Sequence, residues 1–397
     1  MDMTPRVRKV AVMFGGRSLE HDVSVVSGLQ VLHALDPDEC SAIPIYVDQT
    51  ERWWTGDDIW KTETFAGAQP DTSRLTEVTL GGPYGQPLLL PLNTWRRTPT
   101  TKIDVFVPVL HGTFGEDGCL QGLLDLRGCA YVGSGVTASA TGMNKRLTKI
   151  IAAERGVPIV PWLACERQVL DRFDLWMPTF VADVQRRFSW PVIVKPCNLG
   201  SSAGVSVAAD HEELIAGILR VFEYDTEALV EPFIRNRLEL NVSVAGLEQP
   251  VASVTEMPVI QRESPLSFSE KYKKRGRKSV GSSEGMAGAL RVLDPEALPI
   301  ALRHSAQELA VEVFQTLGCE GIARADFLIN TDTDELFFNE INTIPGSLSF
   351  YLWSAAPHFW TITELLSKLM DRAERLRATR LGLQREPPPE LRLLGRL

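Results

Sequence analysis

Two apolar-rich runs around a short polar turn constrain the C-terminal half of the chain most tightly. They read Ile322-Ala-Arg-Ala-Asp-Phe-Leu-Ile, then Thr331-Asp-Thr-Asp, then Glu335-Leu-Phe-Phe-Asn-Glu-Ile-Asn. The pattern predicts a β-hairpin. With its turn centred on Thr333, Asp326 falls opposite Glu340 and Arg324 opposite Asn342. Side chains alternate along a strand, so all four would share one face. Two carboxylates and an amide oxygen suit a hard cation, most naturally Mg²⁺ held against a phosphate, with Arg324 nearby to neutralise charge. A register slip of one residue would send the two carboxylates to opposite faces. From this segment alone, a salt-bridged hairpin facing solvent is the alternative.

The 397 residues are enough for two or three domains with deep cores. Hydrophobic residues make up 44% and charged ones 23%, as in soluble globular proteins. The net charge of −9 argues against a dedicated nucleic-acid binder. No apolar run approaches the ~20 residues that span a bilayer, so no membrane partner is expected. Met1-Asp-Met-Thr-Pro-Arg-Val-Arg-Lys leads straight into a strand-like segment and lacks the apolar stretch of a signal peptide, so a cytoplasmic location is expected. Cys40, Cys119, Cys129, Cys165, Cys197 and Cys319 form no CxxC pair and have no nearby histidine. That favours reduced, mostly buried thiols.

Lys9-Val-Ala-Val-Met-Phe-Gly-Gly reads as a strand entering a glycine pair, and residues 22–35 show helical spacing at Val23, Val26, Leu29 and Leu32. Ile43-Pro-Ile-Tyr-Val and Val105-Phe-Val-Pro-Val-Leu are further strands, and their alternation with helices predicts a parallel α/β sheet. Residues 50–100 read as an insertion with some β structure. A second unit begins near Gly135 with a helix over 138–155. Strands at Pro191-Val-Ile-Val-Lys-Pro and Gly204-Val-Ser-Val-Ala then flank the polar loop Cys197-Asn-Leu-Gly-Ser-Ser-Ala-Gly, followed by a helix over 211–222 and a strand at Ala228-Leu-Val-Glu. From about Pro232 come more strands, a basic loop (262–291), a helix over 295–318, the hairpin and a helix near 362–379. The expected division is 1–134, 135–231 and 232–380, with 381–397 a poorly ordered tail.

Several segments can carry chemistry. The loop Gly200-Ser-Ser-Ala-Gly can lay N–H groups and hydroxyls around phosphate oxygens, with Lys195 adding positive charge, although a plain hairpin turn looks the same. Lys145 and Lys149 lie one helical turn apart, a spacing also common on solvated faces. Val230-Glu-Pro-Phe-Ile and then Glu239 offer carboxylates where the chain crosses between units. In Gly15-Gly-Arg-Ser-Leu-Glu-His-Asp-Val-Ser, Glu20 sits before a helix and Asp22 is a plausible N-cap. The alternative role for Glu20 is to receive a substrate ammonium. His111 ends a parallel strand and enters a glycine-rich loop, at the sheet edge where ligands gather, though a buried structural histidine would look alike.

Together these segments resemble the D-alanine–D-alanine ligase family of ATP-grasp enzymes, over about residues 8–370. The resemblance rests on the segment at Gly15, on His111-Gly-Thr-Phe-Gly-Glu-Asp-Gly-Cys-Leu-Gln-Gly, on Lys195-Pro-Cys-Asn-Leu-Gly-Ser-Ser-Ala-Gly and on Asn339-Glu-Ile-Asn-Thr-Ile-Pro-Gly. It implies an α/β, three-domain ATP-grasp architecture with an N-terminal parallel α/β domain. It also implies ATP, two Mg²⁺ (or Mn²⁺) ions, small D-amino acids as substrates and a homodimer. Glu20 would anchor the first ammonium with Ser201 and Tyr272, beside His111. Lys145, Lys195 and Ser202 would hold phosphates, Lys271 would reach the γ-phosphate, and Glu231 and Glu239 would meet adenine and ribose. Asp326, Glu340 and Asn342 would bind the metals, while Arg324 and the Gly346 N–H would stabilise an oxyanion.

The chain departs from the family pattern in four places. The run Lys271-Tyr-Lys-Lys-Arg-Gly-Arg-Lys is more basic, and the Pro-Ala that usually follows this loop is missing. Tyr351 stands where many members have a small hydroxyl that contacts the second substrate, and Asn144 replaces an aspartate. The expected activity is D-alanine–D-alanine ligation for peptidoglycan precursors. The alternatives are a related ligase with another acceptor, in resistance or a specialised pathway, and a nucleotide-binding regulator without catalysis. Tyr272 and the intact set of Arg324, Asp326, Glu340 and Asn342 favour the first.

Overall fold

Three sheets organise the residues described by the computed structural model, which are 7–65, 67, 70–92, 99–259, 291–355, 357–385 and 387–388. The first sheet has seven strands, ordered Thr101–Lys102, Leu88–Pro91, Thr76–Gly81, Trp53–Thr55, Cys40–Val47, Arg8–Gly15 and Val105–Pro108. Only the last three run parallel. The segment expected as an insertion instead extends the same sheet through antiparallel pairs. The parallel sheet predicted from the alternation of strands and helices is therefore the sheet's core, and its far half is a meander.

One face of this sheet buries Val10, Val12 and Phe14 against the helix His21–Ala34 and the final helix Ile362–Leu381. The first of these helices does not use its predicted stripe throughout, since Val26 is exposed. Ser24 and Ser27 are buried in its place because their hydroxyls have partners: Ser24 bonds Gly15 N and Val109 O, and Ser27 bonds His111. Nor does Asp22 cap the helix; Glu20 holds the N-cap position and accepts the Ser24 N–H through its backbone carbonyl.

The final helix runs past the predicted end to Leu381 and clasps the first sheet. Arg8 meets Asp371 at 2.6 Å, Arg380 meets Asp125 at 2.5 Å, and Arg377 donates to the Gly128 carbonyl at 2.8 Å. Residues 389–397 of the expected tail lie outside the described residues.

A four-stranded sheet, Ser206–Ala208, Val192–Pro196, Glu227–Pro232 and Leu163–Glu166, forms the middle of the chain. A five-stranded antiparallel sheet follows, ordered Arg291–Leu293, Pro250–Pro258, Arg237–Gly246, Gly321–Asn330 and Glu335–Asn342. The helix Ile300–Thr316 covers one face of it through Ala306, Ala310, Val313 and Phe314. That helix starts five residues later than predicted, because Pro299 takes the N-cap position and the residues before it form a turn.

The helix predicted over 138–155 is two helices, Val136–Met143 and Lys145–Glu154. Asn144 breaks it by adopting an extended conformation, and its side-chain oxygen accepts the Leu147 N–H at 2.9 Å. The same side chain donates to Asn198 at 2.8 Å, tying the second helix to the loop after Lys195. Replacing Asn144 with Ala should lower unfolding free energy by about 0.5–2 kcal/mol through the lost cap, read as a shift in urea midpoint.

Candidate active site

The predicted hairpin exists, with Asp326 opposite Glu340 and Arg324 opposite Asn342. Its turn is not centred on Thr333, however. Asn330 pairs with Glu335 and Phe327 with Phe338, so four residues make the turn and Asn339 is an extra residue between Phe338 and Glu340. Leu336, Phe338 and Ile341 are buried. Strict alternation from Leu336 and Phe338 would have carried Glu340 into that core; the bulge turns it to the opposite face.

That face carries a row of polar side chains across four strands. Glu256 pairs with Asn241, Asn241 with Asp326, and Asp326 with Glu340. Glu239, two residues before Asn241 and opposite Leu328, faces the same way. Arg324 grips Asp326 through two bonds of 2.6 and 2.7 Å, and Asn342 donates to Asp326 at 3.0 Å. Burial, with Glu340 and Glu256 adding their repulsion, outweighs the pull of Arg324 and holds the Asp326 carboxyl above its ordinary range. Crowded oxygen donors under this repulsion are what a hard divalent cation relieves, so Asp326, Glu340 and the Asn342 amide fit one. Among the described residues no group of three or more His, Cys, Asp or Glu side chains gathers to hold a metal, and the third donor here is an amide.

Two lysines reach the hairpin from the middle of the chain, and a third lies behind them. Lys145 Nζ lies 3.0 Å from Glu340 and donates to the Leu199 carbonyl at 2.6 Å. Lys195 Nζ reaches Glu231 at 2.7 Å and the bulge residue Asn339 at 3.0 Å. Lys149 is fully buried and meets the other oxygen of Glu231 at 2.9 Å. Glu231, expected to meet adenine, is itself 1% exposed, with its carboxylate clasped between two lysines. Burial lowers the Lys149 pKa, with Lys195 adding to the effect and Glu231 opposing it. The two lysines outweigh burial at Glu231 and hold its carboxyl below the ordinary range.

Glu20 comes from the loop before the first helix and Ser201 from the Gly200 loop, and Ser201 donates to the Glu20 carboxylate. Two glycines make room for that carboxylate. A Cβ on Gly112 would stand 2.9 Å from Glu20, and one on Gly200 3.1 Å. Ser201 and Ser202 both take left-handed backbone angles, with φ of 55° and 59°. Burial and the nearby Glu116 raise the Glu20 pKa against the Ser201 bond.

His111 Nδ1 lies 2.9 Å from the Ile344 carbonyl, which only accepts, so this nitrogen carries a proton. Its Nε2 meets Ser27 at 3.0 Å, and Ser27 Oγ also accepts the Ser347 N–H at 3.0 Å. Glu116 accepts from the Gly112 and Ile344 N–H groups. Burial works against charging His111, but Glu116, then Glu20, outweigh it and raise its pKa. Through these bonds His111, Ser27 and Glu116 hold the segment that leads into the turn Gly346–Leu352.

Sequence reasoning missed Ser27, Glu116, Asn339 and Glu256, and it paired Lys149 with Lys145 on a phosphate-binding or solvated face where the structure buries it against Glu231. The first three lay inside or beside quoted motifs, whereas Glu256 carried no local signal at all. Tyr272, Lys271 and the loop around them lie outside the described residues.

Glu231→Gln should cost about 3–5 kcal/mol, because it leaves two buried ammonium groups without a counter-charge. Adding Lys149→Met should recover part of that loss. Urea unfolding of the single and double variants measures it, and a double variant no more stable than the single one would show that the ion pair is not the cause.

Comparison with known proteins identifies the architecture. The family model described as "D-ala D-ala ligase N-terminus" matches residues 9–134, and "D-ala D-ala ligase C-terminus" matches 151–371. A D-alanine–D-alanine ligase of Chloroherpeton thalassium is 36% identical over 370 residues, covering 92% of this chain and 96% of its own. A D-alanine–D-alanine ligase A of Bradyrhizobium diazoefficiens is 36% identical over 389 residues, covering 96% and 99%. The solved D-alanine–D-alanine ligase of Coxiella burnetii superposes with a TM-score of 0.75 at 27% identity, covering 94% of this chain and 96% of that one. With the relatives matched over nearly their whole length and both halves of the fold accounted for, the chain belongs to the D-alanine–D-alanine ligase family of ATP-grasp enzymes.

Proposed function

We propose that this protein joins two D-alanine molecules at the expense of ATP, through an acyl phosphate, to supply peptidoglycan precursors. The observation that carries the reading is the sheet face on which Asp326, Glu340, Asn342 and Arg324 are met by Lys145 and Lys195, with the Glu20–Ser201 pair beside the same loop.

In this reading Glu20 receives the ammonium of the first D-alanine, beside Ser201 and His111. Lys145 and Lys195 hold ATP phosphates beneath the loop of Ser201 and Ser202, and Glu239 faces the ribose. Glu231 acts through its lysines: it keeps Lys149 and Lys195 in place, and its backbone edge is left for adenine. Mg²⁺ or Mn²⁺, two ions in our reading, neutralises phosphate charge when bound by Asp326, Glu340 and Asn342.

A carboxylate oxygen of the first D-alanine attacks the γ-phosphorus, and the bond to ADP breaks. The amine of the second D-alanine then attacks the acyl carbon. Arg324 and the Gly346 N–H stabilise the oxyanion, phosphate leaves, and the amine proton is released as the amide forms. We place the reaction in the cytoplasm, in a homodimer whose mass sedimentation would report.

ADP release with D-alanine as sole amino acid, with product mass, tests the reading, and the expected product is the dipeptide with one ADP and one phosphate. Dipeptide formed only from a mixed pair of amino acids would move the protein to a ligase with another acceptor. Glu340→Gln should fold normally yet lose ADP formation about 100-fold, since an amide gives less charge to the metal and frees Lys145. Near-parental turnover in that variant at moderate Mg²⁺ would remove the metal assignment.

A further inference from the structure

Beyond Asp326, the polar row continues into groups that the proposed chemistry does not use. Glu256 is 4% exposed and lies one strand past Asn241. Three side chains fix it. Arg291 meets one oxygen at 2.9 Å, while the Tyr351 hydroxyl donates to the other at 3.2 Å and the Asn241 amide at 3.4 Å. Arg291 has a second contact, since its guanidinium carbon stands 3.7 Å above the centre of the Tyr351 ring.

Tyr351 is therefore gripped at its hydroxyl by Glu256, on its ring face by Arg291, and through its backbone by the turn Gly346–Leu352. It is 6% exposed and, through Glu256, sits over the sheet face that carries Asn241, Asp326 and Arg324. Its turn begins at Gly346 and passes through three left-handed residues, Ser347, Leu348 and Ser349. Such a run in ordinary residues persists only where its surroundings over-determine it.

The phenol hydroxyl already donates to a carboxylate, so it has no proton to offer an incoming amino acid. What Tyr351 presents next to Arg324 is a fixed surface. A tyrosine held only by packing would turn aside for a bulkier acceptor; one held at three points keeps the space small. Charge follows the same logic. Glu256 offsets Arg291 and Asp326 offsets Arg324, so neither arginine is drawn away from its place.

We propose that Glu256 and Arg291 are positioning residues that hold Tyr351 as a rigid wall of the second-substrate site, and so set acceptor size for the ligation. This rests on the ligase reading above and deepens it by naming what selects the acceptor.

The test uses the full-length enzyme with D-alanine as first substrate and D-alanine, D-serine or D-valine as acceptor, following ADP release and product mass. Glu256→Gln, Arg291→Met and Tyr351→Phe should each raise the acceptor half-saturation about tenfold, while the ATP half-saturation and saturated rate stay within about twofold. D-Valine, which the parent should exclude, should enter the product in all three. Arg291→Lys, which keeps a cation on Glu256 and over the ring, should restore most of the acceptor affinity. Tyr351→Phe combined with Glu256→Gln should be no worse than either alone, because both act through one contact.

Equal rises for ATP and acceptor, or an unchanged acceptor range in well-folded variants, would overturn the proposal. If Glu256→Gln unfolds, Tyr351→Phe, which removes one oxygen atom, still decides the matter by the same readouts. A parent that releases no ADP with any D-amino acid overturns the ligase reading and this inference with it. A parent that turns over normally, with variants lacking the acceptor-specific pattern, overturns this inference alone.

Discussion

Carboxylates set close together repel one another, and this fold places three of them, one buried and two half-buried, in one row of one sheet. Glu256, Asp326 and Glu340, with Asn241 between the first two, lie on the same face of that sheet. The surrounding groups are best understood as answers to that repulsion. Arg324 lies against Asp326, Arg291 against Glu256 and Lys145 against Glu340. Each cation comes from a different element, so closing the row also fixes the helix of Lys145, the edge strand of Arg291 and the hairpin relative to one another. If the proposed ligase reading holds, the phosphates and divalent cations would enter a site kept together by charges that can be re-paired.

The second charge cluster works differently. Glu231 is paired on both oxygens with buried lysines, and nothing around it is open to exchange. It is a structural knot in the middle sheet, whereas the Asp326 and Glu340 end of the carboxylate row stays partly exposed. Lys195 belongs to both, since it holds Glu231 with one contact and Asn339 with another. Displacement at either cluster is therefore felt at the other through a single ammonium group.

Period and punctuation made much of this visible in the sequence. The parallel core strands, the polar loop after Lys195 and the facing of Asp326 and Glu340 all followed from alternation and turn chemistry. What alternation alone does not carry is a bulge. The register at the site was right only because Asn339 shifts the strand by one residue, while the tip of the hairpin pairs otherwise. Asn144 hid for a related reason: a capping side chain inside an apolar periodic stretch leaves the period intact while breaking the helix. Lys149 and Glu231 looked like surface and ligand groups because burial of a charge depends on a partner far away in sequence. Glu256 gave no signal, as its partners come from two other strands and a turn.

The final helix has a consequence for how the chain reaches its fold during synthesis. It supplies Leu365, Leu366, Leu369 and Met370 to the same apolar cluster as Val10, Val12 and Phe14 of the first sheet. About 250 residues separate the end of the N-terminal unit from the end of that helix, so at ~5–20 residues per second the ribosome needs tens of seconds to deliver the missing cover. For that interval the nascent first unit leaves uncovered the part of its apolar face that the final helix later packs against. Truncations that remove the last helix would then be felt first at the opposite end of the polypeptide, as aggregation of its earliest-made portion.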